Sequence, residues 1–264
     1  ALDEDLASLP YVNGGLFAEY LPALFGTSEI RDTLLNCTAF DWSAVSPAIF
    51  GSMFQSVMDE KARHDLGAHY TSEKNIFKVI SRLFLDDLKE ELKNAGNNHS
   101  KLRTLWDKIA NIKILDPACG CGNFLVVAYR ELRLLELEII RQIYSKELRA
   151  GQESFLGSDF HSRLDVDQMY GIEIEEFPVR VAELALWLTD HQMNQKLSEL
   201  IGYPCLRLPL KSSPRIVNGN ALTLDWETVI PKSKLTYILG NPPFIGSKVM
   251  SDQQRAEIVS LFAE

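Results

Sequence analysis

The sequence predicts an α/β protein with a Rossmann-like parallel sheet, preceded by a small helical region. Three observations predict this fold class. Residues 112–124 (IKILDPACGCGNF) have the pattern of a buried strand, a glycine-rich turn and a helix start. Short apolar runs at 169–174, 215–217 and 235–239 each end in polar residues and are separated by helical or loop patterns. Residues 1–60 lack any periodic strand pattern.

Net charge, cysteine spacing and the distribution of apolar residues exclude several classes of protein. The chain has 264 residues with 46% hydrophobic residues and a net charge of −9, so it is not a basic nucleic-acid binder as a whole. Its four cysteines lack the paired spacing of a zinc site, so no metal is expected, and free thiols fit a reducing cytoplasm. We find no apolar run of membrane-span length and no signal peptide. The expected location is cytoplasmic, without membrane contact.

The glycine-rich turn predicts a ligand site at a strand end. Gly120 and Gly122 let a ligand approach the backbone closely. Leu125 stands where a dinucleotide fingerprint has its third glycine, and no phosphate-binding loop is present. Asp116, at the end of the strand, suits a cationic ligand better than a pyrophosphate.

The segment DPACGCGNF resembles the first motif of class I S-adenosylmethionine-dependent methyltransferases, in the form seen in DNA amino-methyltransferases. Cys121 stands where the family usually has Ser. The resemblance implies S-adenosyl-L-methionine as the cofactor and a class I methyltransferase sheet that is incomplete, because four strands are found where the family has seven. It also implies cofactor contacts from the residues of this loop, namely Asp116, Pro117, Ala118, Gly120, Gly122, Asn123 and Phe124.

Two domains are expected from this pattern. Residues 1–62 are predicted to be a helical connector, and PYVNGGLF (10–17) resembles the connector in MmeI-like single-chain restriction–modification enzymes. Residues 63–264 are predicted to be the methyltransferase domain, truncated at its C-terminus. Tyr70 and Thr71 resemble the amino-terminal cofactor motif of DNA methyltransferases, which implies contact with the methionine end of the cofactor. The alternative for this stretch is an ordinary capped helix start.

Polar residues follow the next two predicted strands. Glu173 ends the second strand, where a carboxylate can accept two hydrogen bonds from a ribose diol. In the family this acid does so, and the following residue, here Ile174, packs on the adenine of the cofactor. The resemblance places Asn220, with its neighbour Ala221, at the cofactor's adenine after the third strand, where the family often has Asp. An acid that merely ends a strand is the alternative for Glu173.

The fourth strand runs into Asn241-Pro242-Pro243-Phe244. An exocyclic amine is a poor nucleophile until acceptors draw its hydrogens out of the ring plane. Asn241 supplies a side-chain carbonyl and Pro242 a backbone carbonyl, and the two prolines stiffen the turn. Phe244 offers a flat surface for a base flipped out of the duplex. In the family, Asn rather than Ser at the first position favours adenine over cytosine.

The leading hypothesis is a DNA adenine-N6 methyltransferase within a restriction–modification protein, acting by direct transfer from S-adenosylmethionine. Its partner would be double-stranded DNA, recognised by a domain that this chain lacks. Two alternatives stay open. One is protein glutamine-N5 methylation, whose enzymes share an NPPY motif, and the other is a truncated, non-catalytic fragment that binds cofactor weakly or not at all. The sequence predicts no oligomeric state.

Overall fold

The computed structural model describes residues 27–40, 45–49, 71–145, 148, 162–205, 214–243 and 250–262. Contacts divide the chain into two compact units, Ala1–Ser46 and Pro47–Glu264. The predicted boundary after residue 62 stays a prediction. In the first unit, helix α1 (Ser28–Ala39) begins after Thr27, whose hydroxyl accepts a hydrogen bond from the backbone N–H of Ile30 at 3.4 Å. No residue of α1 is buried.

The second unit alternates strands with helices after a helical start. Its elements in order are α2 (Glu73–Ile80), a π-helical turn (Ser81–Leu85), α3 (Asp86–Ala95), α4 (His99–Ala110), β1 (Ile114–Asp116), α5 (Asn123–Ile143), β2 (Met169–Glu173), α6 (Glu176–Ile201), β3 (Arg215–Asn218), β4 (Tyr237–Ile238) and α7 (Asp252–Phe262). Short 3-10 helices at Val166–Gln168 and Trp226–Thr228 precede β2 and β4.

All four described strands are parallel, in the order β3-β2-β1-β4. Ile114 of β1 pairs with Met169 of β2 on one side and with Tyr237 of β4 on the other. The chain therefore extends from β1 through β2 to β3 and then returns to the opposite side of β1. Parallel sheets bind ligands where the direction of winding reverses, beyond the strand ends. This point lies between β1 and β4, and the predicted fold class is confirmed.

The two central strands, β1 and β2, are buried on both faces of the sheet. Neighbouring residues of β1 point to opposite sides, so Ile114 joins the larger apolar cluster, which includes buried residues of α2 to α6. Leu115 joins a smaller cluster with Tyr170, Ile172 and Ile230 on the other face. Burial on both faces explains why β1 is apolar without alternation until Asp116.

A buried charged network joins α5 to α6. Arg133 is fully buried, and its guanidinium donates to Asp190 at 2.6 Å and to Asn194 at 2.8 Å. Its Nε lies 3.1 Å from Glu136, while the Tyr129 hydroxyl donates to Asp190 at 2.7 Å. Charges this deep are tolerated only when they are paired and hydrogen-bonded. The network therefore fixes the register of α6 against α5.

Glu136 extends this network to α4. It accepts hydrogen bonds from the indole N–H of Trp106 at 2.7 Å and from the backbone N–H of Arg163 at 2.8 Å. The helix that follows the glycine-rich turn is thus held from both sides, by α4 and by α6.

Replacing Asp190 with Ala should lower the free energy of unfolding by about 3–5 kcal/mol, because the Arg133 charge would stay buried without its partner. Glu138→Ala is the matched control. It removes the exposed partner of Arg141, at 2.8 Å, and should change stability by about 0.5 kcal/mol or less. Urea denaturation of the chain measures both. Equal losses in the two variants would show that the buried network does not hold the helices together.

Candidate functional site

The glycine-rich turn crosses from the end of β1 to the start of α5. Cys119 donates its backbone N–H to the carbonyl of Ile172 on β2 at 3.0 Å. Gly122 has a φ of +81°, and a Cβ there would lie 2.9 Å from the Cβ of Ala182 on α6. Glycine is therefore required at this position both for the turn and for the close packing of α6. At Gly120, by contrast, a Cβ would meet no described atom within 4 Å, so the turn is open on this side.

Asp116 lies beneath this turn and against the end of β4. Its side chain is buried and accepts a hydrogen bond from the backbone N–H of Ala118 at 3.0 Å. Burial raises the pKa of Asp116 to about 7, opposed by the Ala118 hydrogen bond and reinforced by the charge of Glu173. A Cβ at Gly240 would lie 2.4 Å from Oδ1 of Asp116. The carboxyl group therefore packs directly on the backbone that precedes Asn241.

The glycine-rich turn and the diproline segment (Asn241-Pro242-Pro243) leave the sheet at the same edge. The backbone N–H of Leu239 donates to the carbonyl of Leu115 at 3.0 Å, which continues the pairing of β4 with β1. Gly240 comes next, and the three residues after it, Asn241, Pro242 and Pro243, are exposed. The two segments thus begin on neighbouring parallel strands, next to each other.

Glu173 ties the end of β2 to the turn. Its Oε2 accepts from the backbone N–H of Gly120 at 2.8 Å, and Oε1 accepts from the N–H of Glu175 at 3.1 Å. Each oxygen of a carboxylate can accept a second hydrogen bond, so hydroxyl donors can still bind it. Ile174, the following residue, is 57% exposed, and Phe177, in the first turn of α6, is 59% exposed. Phe177 was not predicted from the sequence, where its place in the first turn of the helix after a strand end was the available signal.

Asn218, also missed, joins the ends of β2 and β3. Its side-chain amide donates to the carbonyls of Glu173 at 3.1 Å and Ile174 at 2.9 Å. The backbone N–H of Gly219 donates to the Glu173 carbonyl at 2.9 Å. These bonds fix the direction in which the chain leaves β2.

Asn220 and Ala221 lie in the turn after β3. The side-chain oxygen of Asn220 accepts from the N–H of Leu222 at 2.9 Å, and its amide donates to Glu257 on α7 at 3.0 Å. The Ala221 carbonyl accepts the indole N–H of Trp226 at 2.8 Å. Part of the hydrogen-bonding capacity of Asn220 is therefore used within the protein, and one acceptor direction of its oxygen is left.

Thr71, which lies just before α2, contacts the diproline segment. The side-chain amide of Asn241 donates to the Thr71 hydroxyl oxygen at 3.1 Å. A residue before the sheet and a residue after its fourth strand thus meet in one site. Tyr70 and Phe244, predicted with them, lie outside the described residues.

The remaining predicted residues of the turn differ in their surroundings. Oδ1 of Asn123 is buried away from solvent and has no hydrogen-bond partner among the described residues. Phe124 is 6% exposed and belongs to the larger apolar cluster. Pro117 and Ala118 are half-buried. The carboxyl groups of Asp116 and Glu173 at the turn are hydrogen-bond acceptors, which suit a ligand with hydroxyl or cationic groups.

Cys121 takes part in no acid–base chemistry at neutral pH. Burial raises its pKa to about 12, with a further contribution from the charge of Glu173, so the thiol stays protonated.

Among the described residues, no group of three or more His, Cys, Asp and Glu is placed to hold a metal. No helix in those parts of the chain is long and apolar enough to span a membrane.

The chain is similar to a family and to individual proteins that are described as methyltransferases. Residues 92–264 match the family described as "MmeI, DNA-methyltransferase domain". The chain is 40% identical to DNA methyltransferase A of Bacillus subtilis (strain 168) over 264 residues, which is 98% of this chain and 29% of that protein. It is 30% identical over 227 residues to a putative type II restriction enzyme and methyltransferase of Methanocaldococcus jannaschii, covering 68% of this chain and 18% of that protein.

A solved structure is also similar. It is the type IIL restriction–modification enzyme MmeI in complex with DNA, with a TM-score of 0.86 and 50% sequence identity. The match covers 100% of this chain and 34% of that one, so the chain spans about a third or less of the length of these relatives. The resemblance to MmeI-like enzymes is thereby confirmed, and the chain belongs to the MmeI DNA-methyltransferase domain family.

Proposed function

We propose that this chain carries the site at which a methyl group passes from S-adenosylmethionine to the exocyclic N6 of an adenine flipped out of double-stranded DNA. The site would work within a restriction–modification enzyme. One observation carries the proposal. The ligand-binding turn after β1 and Asn241-Pro242 after β4 begin side by side, with Gly240 packed on Asp116. The relatives' descriptions as DNA methyltransferases favour DNA over a protein glutamine as the acceptor.

The residues around the turn fit this cofactor. Glu173 can accept the two ribose hydroxyls while it keeps its bond to Gly120. Ile174, the residue after that acid, and Phe177, in the first turn of α6, offer exposed apolar surface for the adenine ring. When bound, S-adenosylmethionine supplies an electrophilic methyl carbon on a positively charged sulfur. The carboxyl groups of Asp116 and Glu173 favour that positive charge.

Asn241 and Pro242 would prepare the acceptor. The lone pair of an adenine amino group is delocalised into the ring and becomes available when both hydrogens are bound out of plane. The Asn241 side-chain oxygen and the Pro242 carbonyl are two acceptors on consecutive residues. Pro242 has a fixed φ, and this limits how its part of the turn can move. Positioning and electrostatics supply the rate, and the amine loses its proton during or after attack, so no protein base is needed beforehand.

We propose that the base is adenine and that Phe244 stacks on it. The segment resembles DNA amino-methyltransferases, in which Asn rather than Ser at the position of Asn241 favours adenine over cytosine. An aromatic side chain beside the diproline turn suits a base that has left the duplex stack.

Replacing Asn241 with Ala should lower kcat by about 100-fold or more and leave the Kd for S-adenosylmethionine within about twofold, because the variant loses an acceptor that acts on the substrate amine. Transfer of labelled methyl groups to DNA by the complete gene product measures kcat. Asn97→Ala is the matched control. It replaces an exposed Asn in the loop between α3 and α4 and should leave kcat unchanged. Parental activity in the Asn241 variant, or label on protein instead of DNA, would contradict the proposal.

Cofactor affinity should rise with pH through the titration of Asp116. Its carboxyl, with a pKa of about 7, is largely protonated at pH 6 and largely ionised at pH 8. Only the ionised form attracts the sulfonium, so the affinity should increase roughly three- to tenfold across this range. Asp116→Asn preserves the acceptor for the Ala118 N–H and should abolish that part of the increase. Calorimetry on the chain measures it, and identical pH profiles for the two proteins would contradict the role of Asp116.

A further inference from the structure

The carboxamide of Asn241 has two chemically different ends, and only one suits the proposed reaction. The oxygen can accept a hydrogen from the substrate amine, whereas the NH2 group would oppose it with its own hydrogens. The backbone around Asn241 is constrained on both sides, since Gly240 packs on Asp116 and the next residue is Pro242. The direction of the carboxamide therefore depends mainly on rotation about the side-chain bonds of Asn241.

We propose that Thr71 is a positioning residue that fixes this rotation. Its hydroxyl oxygen accepts a hydrogen bond from Nδ2 of Asn241 at 3.1 Å, which directs Oδ1 away from Thr71 and leaves it for the substrate amine. The inference rests on the proposed function of Asn241. It gives Thr71 an effect on the methyl-transfer step, distinct from the cofactor contact that the sequence resemblance implies.

Thr71 is held in place by the start of α2. The carbonyl of the following residue, Ser72, accepts the backbone N–H of Ile76 at 3.0 Å, and Ile76 is fully buried in the core. Glu73 also accepts from the guanidinium of Arg130 on α5 at 2.9 Å. The two residues after Thr71 are therefore held to the core and to the helix that begins at the glycine-rich turn, and this limits how far Thr71 can move.

The first test compares Thr71→Val with Thr71→Ser in the complete gene product. Val has nearly the shape of Thr without the hydroxyl, so kcat at saturating S-adenosylmethionine should fall about tenfold, even where the loss of a cofactor contact also raises the Kd. Ser keeps the oxygen and should restore most of the rate. An unchanged kcat in the Val variant, or a raised cofactor Kd with unchanged kcat, would overturn the proposal.

A double-variant comparison tests whether Thr71 acts through Asn241. In an Asn241→Ala background, Thr71→Val should cause no further loss of kcat, because the side chain that it positions is gone. A full additional tenfold loss would overturn the proposal.

A spectroscopic measurement separates this inference from the proposed function. The side-chain amide resonances of Asn241, assigned from their loss in Asn241→Ala, should shift in a ¹⁵N-labelled chain carrying Thr71→Val and stay in place with Thr71→Ser. No substrate is needed, so this result holds whether or not the gene product methylates DNA. Resonances that do not move in the Val variant would show that the hydrogen bond is absent.

Discussion

The pairing of β4 with β1 is the constraint on which the site depends. It places the backbone of Gly240 against the buried carboxyl of Asp116, so closely that a side chain at position 240 would overlap it. The glycine-rich turn leaves the sheet after Asp116, and the Asn-Pro-Pro segment leaves it after Gly240. This one contact therefore sets the distance between the turn and Asn241.

The helices give this contact its rigidity. Gly122 allows α6 to approach the start of α5, and the paired charges of Arg133, Asp190 and Glu136 hold α5 between its neighbours. The arrangement costs free energy, since buried ions must be compensated, and it limits how the turn can move. Asp116 carries a related cost. Burial raises the pKa of its carboxyl to about 7, and a cationic ligand would favour the ionised form.

Much of this architecture could be predicted from local sequence. The strand, turn and helix of residues 112–124 follow from apolar runs and glycine spacing, and Glu173 was recognisable as the acid that ends β2. The π-helical turn at Ser81–Leu85 had no sequence signal that we recognised. Contacts between distant residues were beyond prediction from one sequence. These include Thr71 with Asn241, Asn220 with Glu257, and Asn218 with the end of β2, because each depends on the complete packing of the chain.

A crystal structure of the chain with S-adenosylmethionine tests the central claim most directly. The account predicts the ribose hydroxyls on Glu173, the ligand along the turn at Gly120, and the methyl group directed toward Asn241 and Pro242. A cofactor bound elsewhere, or one bound on the turn with its methyl group facing away from the end of β4, would contradict it.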